Sequence, residues 1–238
     1  MVNVRTASCY RGPMEAATGT GGGSGPARQR VAQAARRLAA DGLVLGTAGN
    51  VSERVDDLVA VTPTGAVLEG LTADEVAVVD LDGRPVDGDL EATSELALHL
   101  GAYRKFDARA VVHTHAPMAT ALSCLLDELP VIHYHQLALG GSIRVARYET
   151  FGTQELAQAT LEALNERQAA LMANHGAIVL GADMEAAVEN ALLLEWLCRV
   201  YWHAAAIGTP RTLNREQCQA VIATAVERRY GETHARTA

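Results

Sequence analysis

The chain has 238 residues, 49% of them hydrophobic, which is enough to bury one sizeable core. Its net charge is −8, and 20 basic residues lie scattered among 28 acidic ones with no basic stripe, so a nucleic-acid partner, which needs clustered positive charge, is disfavoured. No apolar run approaches the roughly 20 residues that span a bilayer, the N-terminus lacks the plan of a signal peptide, and four cysteines (Cys9, Cys124, Cys198, Cys218) show no CxxC spacing; the expectation is a cytoplasmic protein with reduced thiols and no membrane partner.

Residues 1–26, with the run from Gly19 to Pro26, read as a flexible glycine-rich tail, and residues 27–238 as a single catalytic domain. Arg28 to Ala40 carries Val31, Ala34, Ala35 and Leu38 on one helical stripe, closed by Gly42. Thr47 to Ser52 is a turn-rich loop leading to a strand. Leu58–Val61 is a strand stopped by Thr62-Pro63-Thr64-Gly65. Thr72-Ala73-Asp74-Glu75 is a capping box, Val76–Asp80 a strand, and Asp82-Gly83 a hairpin turn. Ser94 to Tyr103 reads as helix and Ala110 to His115 as a buried strand closed by Pro117.

Val131 to Tyr134 is a short strand candidate. Thr153 opens a helix to about Asn165, Ala169–Ala173 is a strand into Asn174-His175-Gly176, and Ala177–Leu180 continues it. Helices over Asp183–Ala206 and Arg215–Arg229 complete the chain. Several connections are too short for helical crossovers, so the expected fold is a three-layer α/β/α with a mixed, largely antiparallel central sheet.

His113-Thr114-His115 places two imidazoles on one face of a strand, able to converge on one ion, and His175 lies in a second strand-to-turn context. His133-Tyr134-His135 repeats the spacing, so spacing alone does not choose between the pairs. His99, four residues after Glu95 on the same helix face, reads as a packed or hydrogen-bonded residue. A cupin-like oxygenase also gathers histidines and a carboxylate, but cupins are all-β and at least four segments here are helical.

The single lysine, Lys105, sits in a polar stretch at a helix end. Neither a Schiff base nor a Walker-type phosphate loop has its lysine here, so a carbonyl needs another electrophile. A phosphate must be held by hydroxyls, backbone N–H groups or arginine. Three loops offer such donors: Gly49-Asn50, Thr64-Gly65 and Thr93-Ser94. The last opens the helix that carries Glu95, where the positive end of the dipole favours an anion.

In order, the chain carries Thr47-Ala48-Gly49-Asn50-Val51-Ser52, Thr62-Pro63-Thr64-Gly65, Thr93-Ser94-Glu95, Val112-His113-Thr114-His115, Ile132-His133-Tyr134, Phe151-Gly152-Thr153-Gln154-Glu155-Leu156 and Asn174-His175-Gly176. This series resembles the class II aldolase/adducin family from about Arg28 to about Tyr230. The resemblance implies one Zn2+ per subunit on His113, His115 and His175, with Glu95 as acid–base residue and a further contact to the metal when no substrate is bound. It implies phosphate binding by Asn50, Thr64, Gly65, Thr93 and Ser94, a tyrosine at the aldehyde end (Tyr134), an apolar wall (Phe151) and a site-closing tyrosine (Tyr230).

The implied reaction is zinc-dependent retro-aldol cleavage of a ketose 1-phosphate to dihydroxyacetone phosphate and an aldehyde, in a homotetramer with sites between subunits. Pentulose-phosphate 4-epimerases of the family characteristically carry aspartate where this chain has Glu95. Sugar-phosphate dehydratases and decarboxylases, and a non-catalytic adducin-like binding protein, are the other readings of the same scaffold. Thr93 stands where the family usually has serine, which keeps the hydroxyl.

Overall fold

Side-chain alternation along short apolar strands builds this molecule. The structure is a computed structural model that describes residues 24–231. Its strands are β1 (Asn50–Val55), β2 (Leu58–Val61), β3 (Ala77–Asp80), β4 (Pro85–Asp87), β5 (Ala110–Thr114), β6 (Glu128–Leu129), β7 (Ile143–Ala146), β8 (Ala169–Met172) and β9 (Gly176–Gly181). They form one nine-stranded sheet in the order β4-β3-β2-β1-β5-β9-β8-β7-β6. Only the β7–β8 pair is parallel.

Successive residues of the central strands point to opposite faces, so they enter two separate cores. On β5, Ala110 and Val112 join one buried cluster and Val111 the other; on β9, Ala177 and Val179 part from Ile178 and Leu180 in the same way. The first face is covered by α1 (Ser24–Ala40), α3 (Pro117–Ser123) and α5 (Met184–Ile207), and the second by α2 (Leu96–Lys105) and α4 (Gln154–Ala163). Each fully buried leucine, such as Leu38 or Leu171, contributes about 1.5–3 kcal/mol of transfer free energy. The expected three-layer α/β/α fold with a mixed, mostly antiparallel sheet is what forms. A last helix, α6 (Arg215–Glu227), buries no side chain. No helix among the described residues is long and apolar enough to cross a membrane.

Caps fix the ends of the helices. Asp183 accepts from Ala186 N–H at 2.9 Å, and Thr153 from Leu156 N–H at 3.2 Å. Thr72 and Glu75 form the capping box read from the sequence. The seven-residue α3 has a remote cap: the buried Glu195 of α5 accepts from Met118 N–H at 3.0 Å and Ala119 N–H at 2.9 Å. Leaving those amides unpaired costs about 1–3 kcal/mol each, and the cap fixes the chain just beyond His115.

Several sequence readings change. Ser24, Gly25 and Pro26, assigned to the tail, form the first turn of α1; residues 1–23 lie outside the described residues. Pro117 does more than close a strand: it is the first residue of α3, where its missing N–H costs nothing. The strand expected over Val131–Tyr134 does not form. The buried Gln136 side chain donates to the Leu129 and Pro130 carbonyls at 3.2 and 3.0 Å and accepts from Ile132 N–H at 3.2 Å, so these backbone groups bond to a side chain instead of a neighbouring strand. Tyr134 begins a 3-10 segment, Tyr134–Leu139.

Candidate active site

The site grows from the register of β5. Asn50 of β1 lies directly opposite His113, and Ile178 of β9 faces it from the other side. His115 follows the end of β5 with the same parity as His113. The β8–β9 hairpin pairs Met172 with Gly176, leaving Ala173-Asn174-His175 as its loop, with Asn174 in the left-handed region at φ 54°. Gly176 is required there: a Cβ on it would lie 2.3 Å from the Thr114 carbonyl oxygen. Gly49 plays the same part beside Asn50. It sits at φ 107°, and a Cβ would lie 2.8 Å from Val44 and 3.0 Å from the His113 carbonyl oxygen.

The ligand atoms of His113, His115 and His175 all lie within 4.8 Å of one another. His113 Nε2 is 3.0 Å from His115 Nε2 and 3.2 Å from Glu95 Oε2, and His175 Nε2 is 3.5 Å from Glu95 Oε1. A tetrahedral zinc with ligands at about 2.0–2.1 Å spaces them about 3.3 Å apart. His113 Nδ1 donates to the Ala177 carbonyl at 2.9 Å, which turns the lone pair of Nε2 toward the cluster. Glu95 Oε1 is buried and has no hydrogen-bond partner. Three imidazoles and an unpartnered carboxylate oxygen are a donor set that fits a divalent metal.

Electrostatics agree. Burial, with the neighbouring His113 and His175, pushes His115 down to about 4; burial and His113 push His175 down to about 4. Burial pushes the Glu95 carboxyl up, but His113, the Asn50 amide, His175 and His99 outweigh it and hold it below the usual carboxylate value. At neutral pH the site therefore presents His115 and His175 as neutral imidazoles and Glu95 as a carboxylate.

These histidines bind fewer protons folded than unfolded between pH 6.5 and about 4, so their contribution to stability is full above 6.5 and is lost as pH falls through that window. Thermal unfolding of metal-free protein is expected to show Tm dropping between these values. A flat Tm would contradict the neutral, buried imidazoles.

Glu95 reaches the histidines because two loops are zipped together behind it. Thr93 N–H donates to the Thr62 carbonyl at 3.1 Å and Thr64 N–H to Glu91 at 3.0 Å. The Thr93 hydroxyl accepts from Glu95 N–H at 3.3 Å, and Glu95 itself stands at the N-cap of α2 with its carboxylate turned inward. Asn50 Nδ2 donates to Glu95 Oε2 at 2.8 Å.

These groups border a cleft of about 430 Å³. Asn50, Thr64, Gly65, Thr93, Ser94, Glu95, Phe151, His115 and His175 all line it, with the fully buried His113 behind them. Thr47, Tyr148, Glu149 and Asn174 also line it, and sequence reasoning assigned them no role. Thr47 and Asn174 sat within quoted motifs, whereas Tyr148 and Glu149 lie just outside one. The lining contains no lysine or arginine.

Two expected residues are elsewhere. Tyr134 and Tyr230 do not line this cleft; their hydroxyls meet at 3.2 Å, and His135 Nε2 is 3.1 Å from the Tyr230 hydroxyl. Tyr134 borders a second hollow with His133, His135 and Trp196. The second HxH pair therefore stands apart from the cluster of His113, His115 and His175.

Known proteins are similar to this chain in sequence and fold. Residues 29–202 match the model of the Class II Aldolase and Adducin N-terminal domain. The chain is 35% identical over 195 residues to 5-deoxy-D-ribulose 1-phosphate aldolase of Bacillus thuringiensis serovar kurstaki, covering 81% of this chain and 92% of that one. It is 41% identical over 183 residues to L-fuculose phosphate aldolase of Escherichia coli K12, covering 76% and 85%. A solved L-fuculose 1-phosphate aldolase superposes with a TM-score of 0.80 at 31% identity, covering 84% of this chain and 95% of that one. The chain belongs to the class II aldolase/adducin family.

Proposed function

We propose that the protein is a zinc-dependent lyase that cleaves a ketose 1-phosphate between C3 and C4, giving dihydroxyacetone phosphate and an aldehyde. One observation carries this reading. His113, His115, His175 and the unpartnered Glu95 Oε1 converge beside a cleft whose remaining polar lining is mainly hydroxyls, amides and backbone. His113, His115 and His175, with Glu95 in reach, would hold one zinc ion per subunit, which when bound would supply Lewis-acid polarisation of the substrate's oxygens. Asn50, Thr64, Gly65, Thr93 and Ser94 hold the phosphate without a cation.

Glu95 takes the proton of the C4 hydroxyl as the C3–C4 bond breaks, and the electron pair of that bond stays with the three-carbon fragment. Glu95 returns a proton to C3 of that fragment. Its two oxygens divide the work: Oε2 is anchored by Asn50, and Oε1 makes no hydrogen bond and faces His175 Nε2 at 3.5 Å. Phe151 and Tyr148 form an aromatic wall beside the cleft. That wall suits the methyl-ended deoxyketose 1-phosphates named for the two relatives. Tyr134 and Tyr230, apart from their own chain's cleft, act on the aldehyde end of a neighbouring subunit's site in a cytoplasmic homotetramer.

The test is to give zinc-loaded protein L-fuculose 1-phosphate and 5-deoxyribulose 1-phosphate, with a pentulose 5-phosphate as control. Release of dihydroxyacetone phosphate from either 1-phosphate supports the reading. Epimerisation of the pentulose 5-phosphate at C4 with no such release would replace it with an epimerase.

A further inference from the structure

His99 is fully buried on α2 and touches neither the cleft nor the metal cluster. Its ring lies within a continuous hydrogen-bonded chain. Tyr103 hydroxyl and Ser52 Oγ are 2.6 Å apart, Ser52 Oγ and His99 Nδ1 are 2.7 Å apart, and His99 Nε2 and Asn50 Oδ1 are 2.5 Å apart. Asn50 Nδ2 then meets Glu95 Oε2 at 2.8 Å.

The donors and acceptors of this chain solve in one way. Asn50 turns its NH2 toward Glu95 Oε2 and its carbonyl oxygen toward His99 Nε2. That oxygen needs a donor, so His99 carries its hydrogen on Nε2. Burial pushes its pKa down to about 3, so the ring is neutral and Nδ1 is an acceptor. Ser52 therefore donates to Nδ1 and accepts from Tyr103. Burial also raises the Tyr103 pKa, which keeps that hydroxyl protonated and able to donate. Every hydrogen in the chain points toward Glu95.

We infer that His99 is a positioning residue, whose Nε2–H fixes the amide orientation of Asn50 so that Asn50 anchors one Glu95 oxygen and leaves the other for proton transfer. If Asn50 turned over, its carbonyl would face the carboxylate, two acceptors in contact at a buried site, and His99 Nε2–H would face an NH2 group. The carboxylate on one side and the histidine Nε2–H on the other therefore fit the same single orientation of the amide. The catalytic part of the inference rests on the proposed role of Glu95; the tautomer and the amide orientation do not.

The first readout needs no activity. NMR of protein with 15N-labelled histidine, with His99 assigned by its loss in His99→Gln, is expected to show at neutral pH a ring protonated on Nε2 only. A ring protonated on Nδ1, or on both nitrogens, overturns the inference whatever reaction the protein performs. The second readout is dihydroxyacetone phosphate release. His99→Leu is expected to lower it about 10–100-fold, the usual effect of removing a partner behind a catalytic group, and His99→Gln, which keeps a donor for Asn50, to restore most of it.

The decisive comparison is the Asn50→Ala background. There His99→Leu is expected to add less than a twofold change, because its effect runs through Asn50. Independent, multiplying effects would make His99 a packing residue only and overturn the proposal. Should His99→Leu fail to fold, the NMR result decides. Should wild-type protein cleave no ketose phosphate, the proposed reaction falls while the tautomer is still read.

Discussion

His113→Ala protein is expected to lose its zinc and, with it, about 10³-fold or more of its turnover, since Lewis-acid stabilisation is worth several kcal/mol and each 1.4 kcal/mol is a factor of ten. His113 is chosen because it is fully buried and braced at Nδ1 by the Ala177 carbonyl. Its Nε2 sits between His115 and Glu95. Alanine removes the imidazole that stands within 3.0 Å of His115 Nε2 and 3.2 Å of Glu95 Oε2. Metal content and dihydroxyacetone phosphate release, measured on one preparation, check the prediction. Near-normal turnover with zinc lost would separate the metal from the chemistry and sink the mechanism.

Glu95→Gln is expected to keep zinc yet lose about 10²–10⁴-fold in turnover, the usual contribution of a positioned general acid–base group. The three histidines remain, so metal content should hold. A glutamine cannot carry a proton to C3. It also presents either an oxygen or an NH2 group to Asn50, where the carboxylate presents only acceptors. A half-reaction isolates the step: wild-type protein should exchange a C3 hydrogen of dihydroxyacetone phosphate with deuterium from solvent, and Glu95→Gln should not. Undiminished exchange in the variant would move the proton transfer to another group.

Much of this site was legible in the sequence because its geometry is local. His113 and His115 share a face by strand parity, and the small-residue motifs marked the loops that line the cleft. What separated His113-Thr114-His115 from His133-Tyr134-His135 was tertiary: β5 runs through the centre of the sheet, next to Asn50 and the β8–β9 loop, whereas Gln136 holds the chain around residue 132 out of any sheet. The apolar, β-branched Val131 and Ile132 read as strand because nothing in their own pattern reveals that the Gln136 amide takes the Ile132 N–H and that the Val131 carbonyl accepts from Leu213 N–H.

The short edge strands β4 and β6 carry too few residues for a period, and α3 depends on a cap from Glu195, 77 residues from Met118. His99 was seen to share a helix face with Glu95, but its part depends on Asn50, 49 residues away and brought beside it by the sheet. Tyr134 and Tyr230 carried a family expectation that one chain does not satisfy. They pair with each other outside the cleft, their hydroxyls 3.2 Å apart.

The most direct measurement is release of dihydroxyacetone phosphate from L-fuculose 1-phosphate and from 5-deoxyribulose 1-phosphate by purified protein, before and after chelation and after zinc is returned. The account predicts release from at least one of them, its loss on chelation and its recovery with zinc. Release unaffected by complete metal removal, or none from zinc-loaded protein with either substrate, would contradict it.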